Sequence, residues 1–171
     1  MDIAQYIIGF KKGKMLKKEL QIIVDSREQK PLWLESKRQY MKTGDYSFEY
    51  DGVDYSSTIA IERKSLPDLF GTLGNGSARF KKEIKRALID LDYFAIIIDG
   101  DLTSCVDKSF AGAKYIKLMK GDTILKILST IHLKYGIPFF FTNTRNESRI
   151  LIKNLFESYI KIEEAKDVKK D

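Results

Sequence analysis

Glu62 and Lys64 are separated by one residue in the stretch Ile59 to Asp68 (IAIERKSLPD), whose β-branched start reads as a strand. Side chains alternate faces along a strand. Glu62 and Lys64 therefore share one face, while Arg63 points the other way and leaves its backbone carbonyl nearby. Asp45 follows Gly44 on the preceding strand of a predicted hairpin, from which it can approach Glu62 across the ladder. Two carboxylates and a carbonyl are hard oxygen donors that suit Mg²⁺ or Mn²⁺. Such an ion would neutralise a phosphodiester and activate a water. The Lys64 ammonium would orient that water or stabilise charge developing on the phosphorane. Without a cation the two acids would raise one another's pKa, so the pairing implies a metal. Asp25 and Glu28, in Val24 to Glu28 (VDSRE), add two carboxylates able to reach a metal directly or through water. Taken singly, Glu62 with Lys64 and Arg27 with Glu28 also fit exposed ion pairs. Their coincidence in one chain favours a site.

The elements that must position these groups are legible from periodicity. Leu20 to Asp25 (LQIIVD) is an apolar run ending in a carboxylate, the pattern of a buried strand that opens into a site. Tyr46 to Tyr50 and Val53 to Ile61 flank Asp51-Gly52, which predicts an antiparallel hairpin running into Glu62. Helices are expected over Leu66 to Leu73 and from Ser77, as N-cap, to Leu91. In the second, Phe80, Ile84, Ala87, Leu88 and Leu91 form a core-facing stripe, and Arg79, Lys82 and Arg86 share another face. Phe94 to Asp99 and Ile137 to Thr142 read as further strands, the second an inner strand that buries the Phe139 to Phe141 run. Thr123 to Tyr135 reads as a helix closed by Gly136, and Glu147 to Ile160 as the last helix, with a fraying polar tail. Strands alternating with helices after a hairpin give an α/β sandwich, a mixed sheet flanked by helices.

Composition bounds the alternatives. The 171 residues are 43% hydrophobic, enough for a single sizeable core. One cysteine, Cys105, and one histidine, His132, provide neither an internal disulfide nor a structural zinc site, which points to a reducing compartment. The only apolar run at the start breaks at lysines after Phe10, so a soluble cytoplasmic protein without membrane association is expected. A net charge of +6 makes a polyanion a natural partner. The charge is concentrated in Lys11 to Lys18 and in Arg79 to Arg86, although either cluster alone also fits a solvated face.

The set VDSRE, Gly44-Asp45, and ERK followed by Asp68, with Asn75, Gly76, Arg79 and Phe80 downstream, resembles the nuclease domain of the XPF family. Its G-D…E-R-K-x-x-x-D signature is present in full, and the later strand and helices follow in family order. The stand-alone bacterial and phage domains are the apt comparison. The resemblance implies a restriction-endonuclease-like fold with a PD-(D/E)xK site, and Mg²⁺- or Mn²⁺-dependent cleavage of DNA near flaps, forks and other duplex to single-strand junctions, in repair, recombination or replication. It also assigns roles. Asp25, Asp45, Glu62 and the Arg63 carbonyl become metal ligands, Lys64 the catalytic lysine, and Asp25 and Glu28 supporting acids. Arg27 and Arg63 would steady the cluster or touch a phosphate, and Asp68 would hold the lysine or an arginine. Family members commonly pair through this domain, so a homodimer is implied as well, although core burial explains the helical stripes equally. The connection between Asp45 and Glu62 is longer than in the eukaryotic and archaeal members, and their further domains have no counterpart here.

The expected organisation is a basic extension over 1–20, a nuclease domain over 21–160 and a charged tail over 161–171. No P-loop spacing occurs, so no nucleotide cofactor is expected. The competing functions are a non-catalytic DNA-binding or architectural subunit and another PD-(D/E)xK nuclease with a different substrate. Retention of every acid favours an enzyme.

Overall fold

The computed structural model describes residues 18–110 and 119–167; the lysines from Lys11 to Lys17 lie outside them. The strands are β1 (Leu20–Asp25), β2 (Lys37–Gln39), β3 (Tyr46–Tyr50), β4 (Val53–Asp54), β5 (Ile59–Ser65), β6 (Tyr93–Asp99) and β7 (Phe139–Thr142). The helices are α1 (Leu66–Leu73), α2 (Ser77–Asp90), α3 (Leu102–Asp107), α4 (Gly121–Tyr135) and α5 (Arg145–Asp167). All strands join one sheet in the order β2-β1-β3-β5-β6-β7, with β4 paired to β3. β5, β6 and β7 are parallel, and β3 runs antiparallel to both β1 and β5. No helix of the described residues is long and apolar enough to cross a membrane.

β6 is buried on both faces, which is why it reads as the unbroken run Phe94 to Ile98 rather than as an alternation. Ile96 and Ile98 pack with α1, α2 and α4 through Leu69, Phe80, Ile84 and Leu128. Ala95 and Ile97 pack on the opposite face with Ile152, Phe156 and Ile160 of α5. The same alternation continues in β5. Ala60 belongs to the layer under α1 and α2, whereas Ile59 and Ile61 belong to the α5 layer. Glu62 and Lys64 are thus sent toward α2, and Arg63 toward α5.

Several expectations change in detail. The turn at Asp51-Gly52 forms, with φ of 54° and 76° as a primed hairpin turn requires, but β4 holds only two residues. A turn then intervenes before β5, whose antiparallel partner on β3 is Tyr46 opposite Ile61. Gly76, not Ser77, occupies the cap position of α2. Leu88 is 45% exposed, because the apolar stripe of α2 narrows to Phe80, Ile84 and Ala87. The Phe139 to Phe141 run lies on the sheet edge and is half-buried, not interior. Cys105 is buried in α3, and His132 is exposed near the end of α4. α5 continues past Ile160 to Asp167, because Ile160 packs in the core and gives the last turns a foundation.

Gly44 has a φ of +79°, and a Cβ built on it would meet the Ala60 Cβ at 2.8 Å and the Ile61 carbonyl oxygen at 3.2 Å. A glycine is therefore needed where the chain turns into Asp45. Gly44→Ala should cost roughly 1–3 kcal/mol for the dihedral alone, with the clash in addition. A denaturant midpoint unchanged from the parent would contradict this.

Candidate active site

Asp45 is fixed from three directions. Its N–H donates to the Ile61 carbonyl at 2.9 Å, its carbonyl accepts from Asp25 N at 2.8 Å, and its Oδ2 accepts from Arg63 N at 2.8 Å. The start of β3 is thereby held between the ends of β1 and β5. An open cleft of about 850 Å³ follows, lined by Asp25, Arg27, Glu28, Lys42, Asp45, Glu62, Arg63, Lys64, Asp68, Arg79, Glu83 and Arg86. The acids that the sequence scatters over three strands thus meet in one place. A separate cavity of about 500 Å³ by Trp33, Glu49 and Lys153 contains none of them.

Glu62 and Lys64 are both buried, with exposures of 6% and 7%, and are joined by Lys64 Nζ donating to Glu62 Oε1 at 2.5 Å. The lysine lies over the Phe80 ring at 5.4 Å from its centroid. Burial pushes Glu62 up to about 7, against the opposing pull of Lys64 and with help from neighbouring Glu83. Burial also raises Asp45 well above the usual carboxylate range, and the charges of Glu62 and Glu28 raise it further. For Lys64, burial alone would lower the pKa, but Glu62 outweighs it and the side chain remains a cation.

Asp25 differs from Asp45 and Glu62 in its partners and in its electrostatics. Burial would raise it, yet hydrogen bonds from Arg27 and Met41 win and hold it below its ordinary value. Its Oδ1 accepts from Arg27 N at 2.8 Å and Nε at 2.7 Å, and its Oδ2 from Met41 N at 2.7 Å and Arg27 Nη2 at 3.1 Å. Four donors engage the carboxylate, so Asp25 positions Arg27 and the 39–41 segment. Of the two acids in VDSRE it is Glu28 whose charge acts on Asp45.

Arg63 and Asp68 also take other partners. The Arg63 guanidinium pairs with Asp99 at the end of β6 and donates to the Lys30 carbonyl at 3.1 Å. Asp99 in turn accepts from Ser148 of α5 at 3.0 Å. Arg63 therefore clamps strand, loop and helix rather than reaching for a phosphate. Asp68 receives the Ser65 hydroxyl at 2.7 Å and gives its N–H to the same oxygen at 3.3 Å, a cap on α1 in place of a hold on Lys64. On α2, Arg79 and Arg86 line the cleft, whereas Lys82 is exposed outside its lining. Glu83 occupies the same face at i+4 from Arg79, a spacing the sequence displays within an otherwise basic helix.

The sequence profile of the ERCC4 domain matches residues 17–155. The chain belongs to the ERCC4 domain family. It is a family of XPF-type DNA nucleases, in agreement with the signature motif. Among solved structures, XPF from Aeropyrum pernix is similar with a TM-score of 0.60 at 20% identity, over 88% of this chain and 69% of that one. The same archaeal protein in complex with DNA is similar with a TM-score of 0.62 at 19% identity, over 84% of this chain and 66% of that one. This ERCC4 domain therefore has the restriction-endonuclease-like fold. No curated protein sequence matches it.

The donor set of the ERCC4 domain fits a hard divalent cation. Asp45 and Glu62 are held in one cleft where the charge of Glu62 opposes the ionisation of Asp45, a conflict that a cation relieves. Among the described residues no three His, Cys, Asp or Glu side chains form a ready metal cage.

The proton affinities make a stability prediction. Glu62 and Asp45 bind protons more tightly folded than unfolded, so the metal-free protein gains stability from them in acid and loses it as pH rises toward and through about 7 for Glu62. Lys64 is charged across this range in both states, and the depressed Asp25 matters only below its unfolded value. Melting in EDTA should therefore fall between about pH 5 and about pH 8. The fall should shrink in Glu62→Gln and with saturating Mg²⁺. A parent melting profile identical to that of Glu62→Gln would refute the assignment.

Proposed function

We propose that this ERCC4 domain is a divalent-metal-dependent endonuclease that hydrolyses DNA phosphodiesters at junctions of duplex and single strand. The observation that carries the reading is the shared cleft of Asp45, Glu62 and Lys64, two proton-hungry carboxylates and a buried ammonium rimmed by Arg79 and Arg86. Asp45, Glu62 and the Arg63 carbonyl would hold Mg²⁺ or Mn²⁺, and Glu28 would act through water. The ion would supply charge neutralisation and an activated water. Lys64 orients the attacking water and meets the negative charge that grows on the phosphate oxygens. Glu62 keeps Lys64 protonated and aimed. Arg79 and Arg86 bind flanking phosphates, and Asp25 keeps Arg27 at the rim. Arg63, through Asp99, fixes the strand on which Glu62 and Lys64 alternate with it.

A purely architectural role is disfavoured, because a buried Glu62 and Lys64 pair in a cationic cleft serves no DNA-binding purpose and is costly to desolvate. The deciding assay incubates labelled flap, fork, nicked, duplex and single-stranded DNA with Mg²⁺, Mn²⁺ or EDTA. Metal-dependent cuts near the branch support the reading. Binding of every substrate without cutting under any metal would leave only the architectural role.

A further inference from the structure

Tyr40 ends the segment after β2 and is 67% exposed, the more exposed of two aromatic side chains open to solvent among the described residues. The Arg27 guanidinium lies over its ring at 4.8 Å from the centroid. Arg27 is itself fixed by Asp25 and by donating Nη2 to the Met41 carbonyl at 2.7 Å. Met41, the next residue, gives its N–H to Asp25. The ring is thus held on one face by Arg27, and its chain neighbour Met41 is tied to Arg27 and Asp25, while Lys42 and Arg27 line the cleft. An aromatic left in water at a cationic rim, with one face held by a cation, gains nothing from core packing where it stands.

Resting on the nuclease reading, we propose that Tyr40 is a stacking platform for an unpaired nucleobase of the DNA strand whose phosphate enters the cleft. Arg27 holds the ring in place, so ordering it on binding costs little entropy. Arg27, Lys42, Arg79 and Arg86 provide the charge complementarity that draws a phosphate backbone alongside it. Every base has a π-face, so the platform is indifferent to sequence. It does sense pairing. Bases within a duplex already have both faces covered by their neighbours, and only an unstacked base can lie on Tyr40. The residue thus selects substrates with a single-stranded arm beside the scissile bond.

The test uses the full chain and a duplex with one single-stranded arm, with Ca²⁺ replacing Mg²⁺ so that bound DNA stays uncut. 2-Aminopurine is moved along the arm. The parent should quench its fluorescence at one position next to the branch, Tyr40→Phe should retain the quenching, and Tyr40→Ala and Tyr40→Leu should lose it. Loss of stacking should weaken binding of the armed DNA by about 5- to 100-fold, and an abasic site at the quenched position should remove the difference between parent and Tyr40→Ala. Equal quenching in parent and Tyr40→Ala would overturn the proposal. So would a Tyr40→Ala penalty that persists on the abasic DNA, because Tyr40 would then be acting through Arg27. If the parent binds and cuts but Tyr40→Ala matches it throughout, only the stacking platform fails. If the parent neither binds nor cuts any DNA, the nuclease reading fails with it.

Discussion

Asp45→Asn and Glu62→Gln should each lower DNA cleavage by roughly three orders of magnitude or more while leaving DNA affinity within a few-fold of the parent. The two substitutions remove one oxygen charge apiece from cleft carboxylates that burial raises, Asp45 being raised further by the charge of Glu62 and Glu62 by Glu83. Neither touches Arg79 or Arg86, which lie on α2, line the cleft and in the proposed function would supply the phosphate contacts. Affinity should consequently decline with salt at the parent's slope, since the number of neutralised phosphates is unchanged. Glutamine can still accept from the Lys64 ammonium, so the fold should survive, and removal of a buried charge should raise the melting temperature above pH 7. Calorimetric Mn²⁺ titrations complete the test. Full Mn²⁺ affinity in both variants together with parental cleavage would remove these residues from the site.

The second large effect belongs to Lys64. Lys64→Met keeps the aliphatic stem against Phe80 but deletes the ammonium that Glu62 holds at 2.5 Å. Losing one positioned cation where negative charge develops should slow turnover by about 10²- to 10³-fold. Metal affinity should not fall, because an ammonium competes with a metal for the Glu62 carboxylate. Without that competing charge Glu62 should hold its proton more strongly, so activity at limiting Mg²⁺ should shift to higher pH. A loss of Mn²⁺ affinity parallel to the loss of rate would make Lys64 a structural brace of the acids rather than a participant in hydrolysis.

How much of this was readable from the chain depends on the distance over which each feature is determined. Glu62 and Lys64 were legible as same-face neighbours because two-residue alternation is a local property of a strand. β1, α1 and the Gly136 stop of α4 were equally local, each marked by an apolar run or a cap. The fate of Asp25 was not, since the Met41 N–H that donates to it comes from sixteen residues away, across the β1 to β2 crossover. Nor was the Arg63 clamp, which exists because the parallel register sets Ser65 opposite Asp99 and brings that carboxylate to the end of β5. For Asp68 the motif states which residues recur and not whom they touch; its partner is the hydroxyl three residues earlier. Glu83 was hidden by the lysines and arginines around it.

β5 is paired with β6 along all seven of its residues, and its first three side chains are wholly enclosed. Glu62 and Lys64 are therefore carried by a member of the molecule's innermost framework rather than by a detachable flap. Heat or denaturant cannot disarm such a centre piecemeal, because displacing Glu62 by even one ladder step would drag Ile59 and Ile61 out of their seats. If the proposed function holds, cleavage should therefore be lost and regained together with the sheet itself.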